Sequence, residues 1–572
     1  ERGVFSDKEI EYIVESQLFS NVRGNRYQFQ QLNDLATLIL PHNSIMEEIY
    51  GISAKNFIEG LKKLEYALSS AKLDAFKTLT DELKKFQSKA VNKSQEELED
   101  LFDEVREYTD SKSIMAKCFG YDLHDVKKVT NWGDKLVQSF SWKIGENADF
   151  FERSEYPGWP IQDLPVQKRP FININGVCYC FDYYNLFDNV YRILQKNIRL
   201  YNDKYATKWS NIQQGASEEL VADKFKKLMP NANVYVGNYY PEANSLKKMD
   251  ENDIMVICDD IIIIAEVKAG SFTYTPAITD FEAHKNSFNS LIGKADYQCI
   301  RTYEYIEKCD LVKFYTKDKK EKFEFERRKI RKIYSLCVTV DNFNVFEAKI
   351  EKTNFFNIAN GTIAINIDDL DVYTFYFESE LCFLHYLKHR QAATRLRTLM
   401  LTDELDHLGM YIDKNAYENF VYDNRDCTSF VAIGFREDID KYFAGKHNPA
   451  LHIDKYFAGK HNPALHIDKP EQPIPEYINE ILKYLESNNV PGRVKFAEFL
   501  LDLSYDTRVD FDEAVKNRIH REQELGRVTP VWFEGDFAYC AIVNIPNIQL
   551  LDKTFCKKYT YANMLERKYD NC

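Results

Sequence analysis

Apolar positions recur at three- and four-residue spacing through much of the first 150 residues, with charged residues between them. This spacing places the apolar side chains on one face of a helix. It predicts helices over Ser53 to Ser69, Leu73 to Lys89 and Ser94 to Tyr108. Ser94 followed by Glu97 also resembles a capping box. The pattern therefore predicts a helical N-terminal domain over 1–150, which we interpret as scaffold, with partner binding as the alternative.

The pattern changes near residue 150, where several prolines mark a turn-rich crossing. Two short strand patterns in Arg169 to Asp182 then flank Asn175-Gly176, which is a strong hairpin signal. An aromatic-rich helix is predicted over Tyr183 to Tyr201. We interpret 151–205 as a bracing hairpin and helix.

Residues 251–270, ENDIMVICDDIIIIAEVKAG, have the pattern of two antiparallel strands joined at Asp259-Asp260. The apolar run Ile261 to Ala265 suits a central strand that is covered on both faces. Because side chains alternate along a strand, Glu266 and Lys268 share one face. A hairpin folded at Asp259-Asp260 brings Asp253 beside Glu266. The sequence therefore predicts two carboxylates and one ammonium on a rigid sheet.

This arrangement has a chemical use. Two close carboxylates bind a hard divalent cation, and Mg²⁺ suits so few ligands. Such an ion polarises a phosphoryl oxygen and helps form hydroxide from water, while a nearby lysine stabilises developing charge. Asp253 followed by Glu266-Val267-Lys268 resembles the D…E-x-K signature of the PD-(D/E)XK nuclease superfamily.

Other segments also fit E-x-K, among them Glu82-Leu83-Lys84 and Glu347-Ala348-Lys349. The first lies in a predicted amphipathic helix. The second, in a strand region, has Asp341 too close upstream for a two-strand hairpin. Only the 253–268 segment combines a central strand, a turn and a correctly phased aspartate.

The resemblance implies an α/β nuclease core with the element order α-β-β-α-β and a mixed sheet, and we place this domain at 206–390. A helix predicted over Gly215 to Met229 carries Glu218 on an otherwise apolar face. In this superfamily such a helix often lends a carboxylate to the site. Glu218 is therefore our candidate, whereas Glu219 is expected to be solvated. The strand predicted at Lys332 to Asp341 would complete the core.

Several branches of the superfamily carry a helical glutamine near the active site, and Gln298 is the candidate here. The chain departs from the stricter Q-x-x-x-Y form, because Thr302 stands where the tyrosine would be.

The resemblance also implies the roles of the site residues. Asp253, Glu266, Glu218 and the carbonyl of Val267 would hold Mg²⁺, with Mn²⁺ as a substitute, and Lys268 would assist the attacking water. The expected activity is endonuclease cleavage of phosphodiester bonds, in DNA or, as the alternative, in RNA. Large accessory regions suggest bacterial restriction or phage defence by analogy alone.

A second class of function stays open. The chain would then be a catalytically silent nucleic-acid-binding or assembly subunit of a defence or repair complex. In either class, a homo-oligomer or a protein partner could contact the accessory domains.

Composition sets further bounds. A chain of 572 residues is too long for one core. Its net charge of −14 is unusual for a nucleic-acid binder, but binding needs only a local basic surface. Lys313 to Lys332 contains ten Lys and Arg against four acids. This segment is either a solvated insertion or a binding patch.

The twelve cysteines form no C-x-x-C pair, which favours buried free thiols in a reducing cytoplasm. No apolar run approaches the length of a membrane span. We therefore expect a cytoplasmic protein without membrane contact.

The remaining residues, 391–572, are predicted to form an α+β C-terminal accessory domain, with strands near Thr529 to Trp532 and Phe537 to Val543. Asp440 to Ile453 recurs without change at Asp454 to Ile467. The repeat supplies four histidines, but their spacing is poor for zinc. We predict a surface loop there.

Overall fold

A computed structural model describes most of the chain. The described residues are 28–101 except 92 and 96, 109–152, 157–242 except 160–163, 247–342, 347–352, 358–447 except 360, 397, 402 and 424–429, 468–525, 531–535 and 538–542, with a few near the ends (9, 10, 12–14, 16, 554, 557, 558, 561 and 562).

The first part of the chain is mainly helical. Its helices are α1 Gln28–Ile39, α2 Asn43–Tyr50, α3 Ala54–Ser69, α4 Ala71–Ala90, α5 Thr109–Cys118, α6 Val126–Thr130, α7 Asp134–Ser139, α8 Asp149–Glu152, α9 Pro165–Lys168, α10 Tyr183–Tyr201 and α11 Asp203–Leu228.

The later helices are α12 Phe281–Phe288, α13 Lys294–Lys308, α14 Ile367–Tyr376, α15 Glu380–Thr394, α16 Glu404–Lys414, α17 Tyr417–Asp423, α18 Glu437–His447, α19 Glu476–Ser487, α20 Arg493–Asp502 and α21 Tyr505–Leu525.

The strands are β1 Ser141–Lys143, β2 Phe171–Ile174, β3 Val177–Tyr179, β4 Asn233–Pro241, β5 Met249–Cys258, β6 Ile261–Lys268, β7 Leu311–Tyr315, β8 Glu321–Glu326, β9 Lys332–Thr339, β10 Thr362–Asn366, β11 Leu399–Leu401, β12 Phe430–Ala432, β13 Val531–Gly535 and β14 Ala538–Ile542.

Several local predictions are confirmed. The N-terminal helices α3 and α4 lie where the apolar spacing predicted them, and Ser94 and Glu97 form the reciprocal hydrogen bonds of a capping box. Helix α10 has the predicted bounds. The β2–β3 hairpin turns at Asn175 and Gly176, which both have the positive φ that a two-residue hairpin turn needs. The β13–β14 pair also lies close to its predicted position.

The central sheet has seven strands in the order β10-β9-β6-β5-β4-β7-β8. Strands β10, β9 and β6 are parallel, and the remaining neighbours are antiparallel. The protein is therefore a mixed α/β protein with a mixed sheet, as predicted. A helix, two strands, a helix and a strand lie at the predicted positions, as α11, β5, β6, α13 and β9, but β4, α12, β7 and β8 lie between them along the chain.

Strand β6 lies between two apolar layers, which explains its uninterrupted apolar run. On one face, Ile263 and Ala265 pack in the same cluster as Phe225 of α11. On the other face, Ile262 and Ile264 join a cluster that includes Cys299 of α13. A strand covered on both faces has no polar side to alternate with.

Three features of the fold differ from the predictions. Helix α11 begins at Asp203, twelve residues before the predicted start. Strand β4 was missed, although it pairs along most of β5. The first copy of the repeat is not a loop at its start, because α18 extends to His447 and buries Phe443. The second copy lies outside the described residues.

The C-terminal part is docked on the central hairpin. The carboxylate of Asp259, in the β5–β6 turn, accepts hydrogen bonds from the backbone of Gly492 and Val494 at 2.9 and 3.2 Å. These amides lie at the N-terminus of α20. Arg331 joins the same region by ion pairs to Asp260 and Glu498. One hydrophobic cluster includes residues from both the N-terminal and the C-terminal parts, with Leu32 and Val515 as its first and last members. The predicted four-part division of the chain stays a prediction.

Within the part of the chain that the structure describes, no helix combines the length and the apolar character that crossing a bilayer requires. The eight cysteines whose side chains the structure describes are all free, and six of them are buried.

Candidate active site

The β5–β6 hairpin brings the predicted side chains together. Ile254 lies opposite Ala265, so the next position in this register sets Asp253 beside Glu266. Asp259 has a φ of 53°, and the turn has only two residues, which keeps the register tight. The sequence therefore predicted the pairing of these two carboxylates correctly.

Lys268 lies between the two acids. Its Nζ is 3.5 Å from Glu266 Oε2 and 3.6 Å from Asp253 Oδ2, and it donates to the Val267 carbonyl at 3.3 Å. The backbone N–H of Val267 donates to Asp253 Oδ2 at 2.8 Å. The side chain of Asp253, which belongs to β5, is therefore held in place by a hydrogen bond from β6.

Burial and crowding set the charge state of this group. Burial, and next the charge of Asp253, raise the pKa of Glu266 well above its usual value. Burial alone would lower the pKa of Lys268, but the charges of Asp253 and Glu266 outweigh it and the pKa is raised. Lys268 therefore stays protonated, and the buried carboxyl group of Glu266 resists ionisation.

Glu218 of α11 approaches the same group, as predicted. It is buried, whereas Glu219 is exposed. Glu218 Oε1 has no hydrogen-bond partner among the described residues. Burial, then the charge of Asp253, raise the pKa of Glu218 from 4.5 to about 8. A buried carboxylate oxygen without a donor is costly unless a proton or a cation satisfies it.

A polar network that the sequence reasoning missed supports Glu266. Asn252 donates to Glu266 Oε1 at 3.0 Å, and Asn238 donates to Asn252 Oδ1 at 3.2 Å. Lys322 of β8 continues the network to Asn238 Oδ1 at 3.3 Å and also binds the Val236 carbonyl. Both asparagines are fully buried. The available signal was an asparagine directly before Asp253 in a strand pattern.

Gln298 is less well defined as a site residue. It is half-buried on α13, next to Cys299, whose thiol lies 3.9 Å from the Ile264 carbonyl. Thr302, which replaces the tyrosine of the stricter pattern, is buried and donates to the Tyr240 hydroxyl at 3.1 Å. The role of Gln298 stays a prediction.

Helix α10 fixes the chain where it leaves β6. Tyr191 and Gln195 both donate to the carbonyl of Ala269, the residue that follows Lys268, at 2.7 and 2.5 Å. Arg192, which directly follows Tyr191, pairs with Asp341 at 2.6 Å. The end of the site strand is therefore held by side chains from a helix about 75 residues upstream in sequence.

The basic segment 313–332 contains most of the β7–β8 hairpin, which lies between α13 and β9 at the edge of the sheet and is largely exposed or half-buried, as the interpretation as a solvated insertion predicts. Many of its charges are paired within the protein. Lys313 pairs with Glu321 and Glu324, and Arg327 pairs with Glu307. Exposed lysines remain at the tip, at Lys317, Lys319 and Lys320.

The E-x-K segments at 82–84 and 347–349 do not form a similar site. Glu82 and Lys84 lie on helix α4, as predicted. Residues 347–349 form a helical turn and not a strand, and the buried Glu347 accepts hydrogen bonds from Thr339 at the end of β9 and Asn366 at the end of β10. Burial raises its pKa to about 8. The interpretation of 347–349 as a strand region was therefore wrong.

Comparison of the chain with known protein families, with curated proteins and with solved structures gives no match.

Proposed function

We propose that this protein is a metal-dependent nuclease of the PD-(D/E)XK type that hydrolyses phosphodiester bonds, most favourably in DNA. The observation that carries the proposal is the convergence of Asp253, Glu266 and Lys268 on two adjacent central strands. Glu218 adds a third carboxyl group with an unsatisfied oxygen. Structural ion pairs seldom leave such an excess of buried acid.

The residues fit a hard divalent cation. Three carboxyl groups face a single ammonium, and every available donor atom is oxygen, which suits Mg²⁺ and Mn²⁺. Asp253, Glu266 and Glu218 would hold the ion, and the Val267 carbonyl lies beside them. When bound, the ion would supply polarisation of a phosphoryl oxygen and a water of lowered pKa.

The protein's own groups prepare the site for this chemistry. Asn252 and the Val267 amide orient the two strand carboxylates before any ligand arrives, which reduces the reorganisation needed later. The ammonium of Lys268 can stabilise negative charge on the phosphate as it develops. The exposed lysines of the β7–β8 tip supply a local basic surface for the nucleic-acid backbone, despite the negative total charge.

The test uses the purified full chain with linear duplex, circular duplex, single-stranded DNA and RNA, each with Mg²⁺ or with EDTA. We expect cleavage that needs the metal and that is lost in Glu266→Gln. Absence of cleavage with both Mg²⁺ and Mn²⁺ on all four substrates would refute the nuclease proposal. Tight binding without cleavage would instead support the silent-subunit alternative.

A role in restriction or phage defence is an additional proposal, based on analogy with nucleases that carry large accessory regions. Its test is phage plating on cells that express the wild type or Glu266→Gln. Equal plating on both strains would contradict it.

A further inference from the structure

A second group of potential ligands lies away from the β5–β6 hairpin, between α15 and α20. His385 and His389 are one helical turn apart on α15, so their side chains share a face. Asp502 is the last residue of α20. The two Nε2 atoms are 3.0 Å apart, and Asp502 Oδ1 is 3.0 Å from His385 Nε2 and 3.4 Å from His389 Nε2.

The outer nitrogens of both imidazoles are held by other side chains. His389 Nδ1 is 2.6 Å from Glu418 Oε1, and His385 Nδ1 is 2.8 Å from the Tyr411 hydroxyl. Metal-binding histidines are oriented in this way, with the outer nitrogen bonded to a carboxylate or other polar group. The inner nitrogens therefore point to one place together with the Asp502 carboxylate.

The site is enclosed but can be reached. Both histidines are almost completely buried, whereas the Asp502 side chain is 41% exposed. Glu418 Oε2 is also buried and has no hydrogen-bond partner within the described residues. Lys388 bonds both oxygens of Asp502, at 2.7 and 2.6 Å, so an arriving cation must compete with this ammonium.

We propose that His385, His389 and Asp502 bind a divalent transition-metal ion, with zinc as the closest chemical match. Two imidazole nitrogens and one carboxylate oxygen are a common set of three protein ligands, and they leave a position for water or another group. Nitrogen ligands select against Mg²⁺, so this site differs in chemistry from the oxygen-only group around Asp253.

The position suggests what the ion would do. Asp502 ends α20, and the N-terminus of the same helix binds Asp259 in the turn of the central hairpin. A helix of ten residues spans about 15 Å. The ion would therefore fix the far end of a helix whose near end is attached to the β5–β6 turn.

The test measures zinc binding to the untagged full chain after metal is removed with a chelator. We expect one equivalent of Zn²⁺ that an excess of Mg²⁺ does not displace, and a higher Tm when Zn²⁺ is bound. Asp502→Asn should weaken the binding at least tenfold, and His389→Gln at least a hundredfold. Asp253→Asn should leave this equivalent in place.

The matched control is His407→Gln. His407 is also fully buried, but its nitrogens bond Tyr417 and the Ala348 carbonyl and do not face a metal-ligand group. His407→Gln should bind zinc as tightly as the wild type. If His389→Gln fails to fold, the half-exposed Asp502 carries the test. The proposal is overturned if the wild type binds no zinc, or if Asp502→Asn binds zinc as tightly as the wild type does.

Discussion

Replacing Lys268 by methionine removes one charge and keeps most of the side-chain volume. Its Nζ lies 3.5 Å from Glu266 and 3.6 Å from Asp253. At an effective dielectric constant of about 20, the attraction of Lys268 to each carboxylate, when that group is ionised, amounts to about 5 kcal/mol before the cost of desolvation is subtracted. Without the ammonium, two buried carboxyl groups remain, and only a proton or a metal ion relieves their repulsion.

The expected effect on cleavage depends on what Lys268 does. If it stabilises charge in the transition state, Lys268→Met lowers the single-turnover rate about a hundredfold or more at saturating Mg²⁺, which corresponds to about 2.7 kcal/mol. Binding of Mg²⁺ and DNA should persist. If it only neutralises the acids, the bound metal replaces it and the rate falls less than about tenfold. The assay is cleavage of a labelled duplex with protein in excess.

Lys224→Met is the matched control. Lys224 is also buried and bridges two carboxylates, Asp34 at 2.8 Å and Asp371 at 2.5 Å. Lys224→Met should lower the Tm but leave the cleavage rate of the folded protein within a few fold of the wild-type rate. If Lys224→Met lowers the cleavage rate as much as Lys268→Met does, the effect comes from the loss of any buried, paired lysine and not from the position of Lys268 between Asp253 and Glu266.

Further predictions concern acid groups and packing. Asp253→Asn should abolish cleavage but leave the metal-free Tm unchanged, because the amide oxygen can still accept the hydrogen bond from the Val267 backbone. Cleavage by Asp253→Asn at the wild-type rate would contradict the proposed metal site. The pKa of Glu218 is raised in the folded state, so metal-free wild type should lose stability as pH rises from about 4.5 to about 8. Glu218→Gln should therefore raise the metal-free Tm at pH 8 more than at pH 5, and an equal change at both would contradict the argument. Gly60→Ala should destabilise by about 1–3 kcal/mol, since its Cβ would lie 2.0 Å from the Trp132 ring. Gly133→Ala, with open space around it, is the control in denaturant unfolding.

Several parts of the site could be predicted because they are local. The alternation of a strand has a period of two that the backbone imposes, and a two-residue turn fixes the register. Together these put Asp253 opposite Glu266 and placed Lys268 on the same side. Helical periodicity likewise placed Glu218 on the buried face of α11. None of these inferences required information about the elements that pack against the hairpin or the helix.

Contacts between distant segments could not be predicted in this way. No local pattern shows that Lys322 reaches Asn238, or that the turn at Asp259 caps a helix more than 230 residues later. The pair His385 and His389 had a visible helical spacing, but Asp502 joins it from 117 residues away. Such contacts depend on how whole elements pack, because the free energy is shared among many buried side chains and no single segment encodes it. The sequence by itself thus determined the hairpin and the order of its charged groups, and the tertiary structure decided which distant groups surround them.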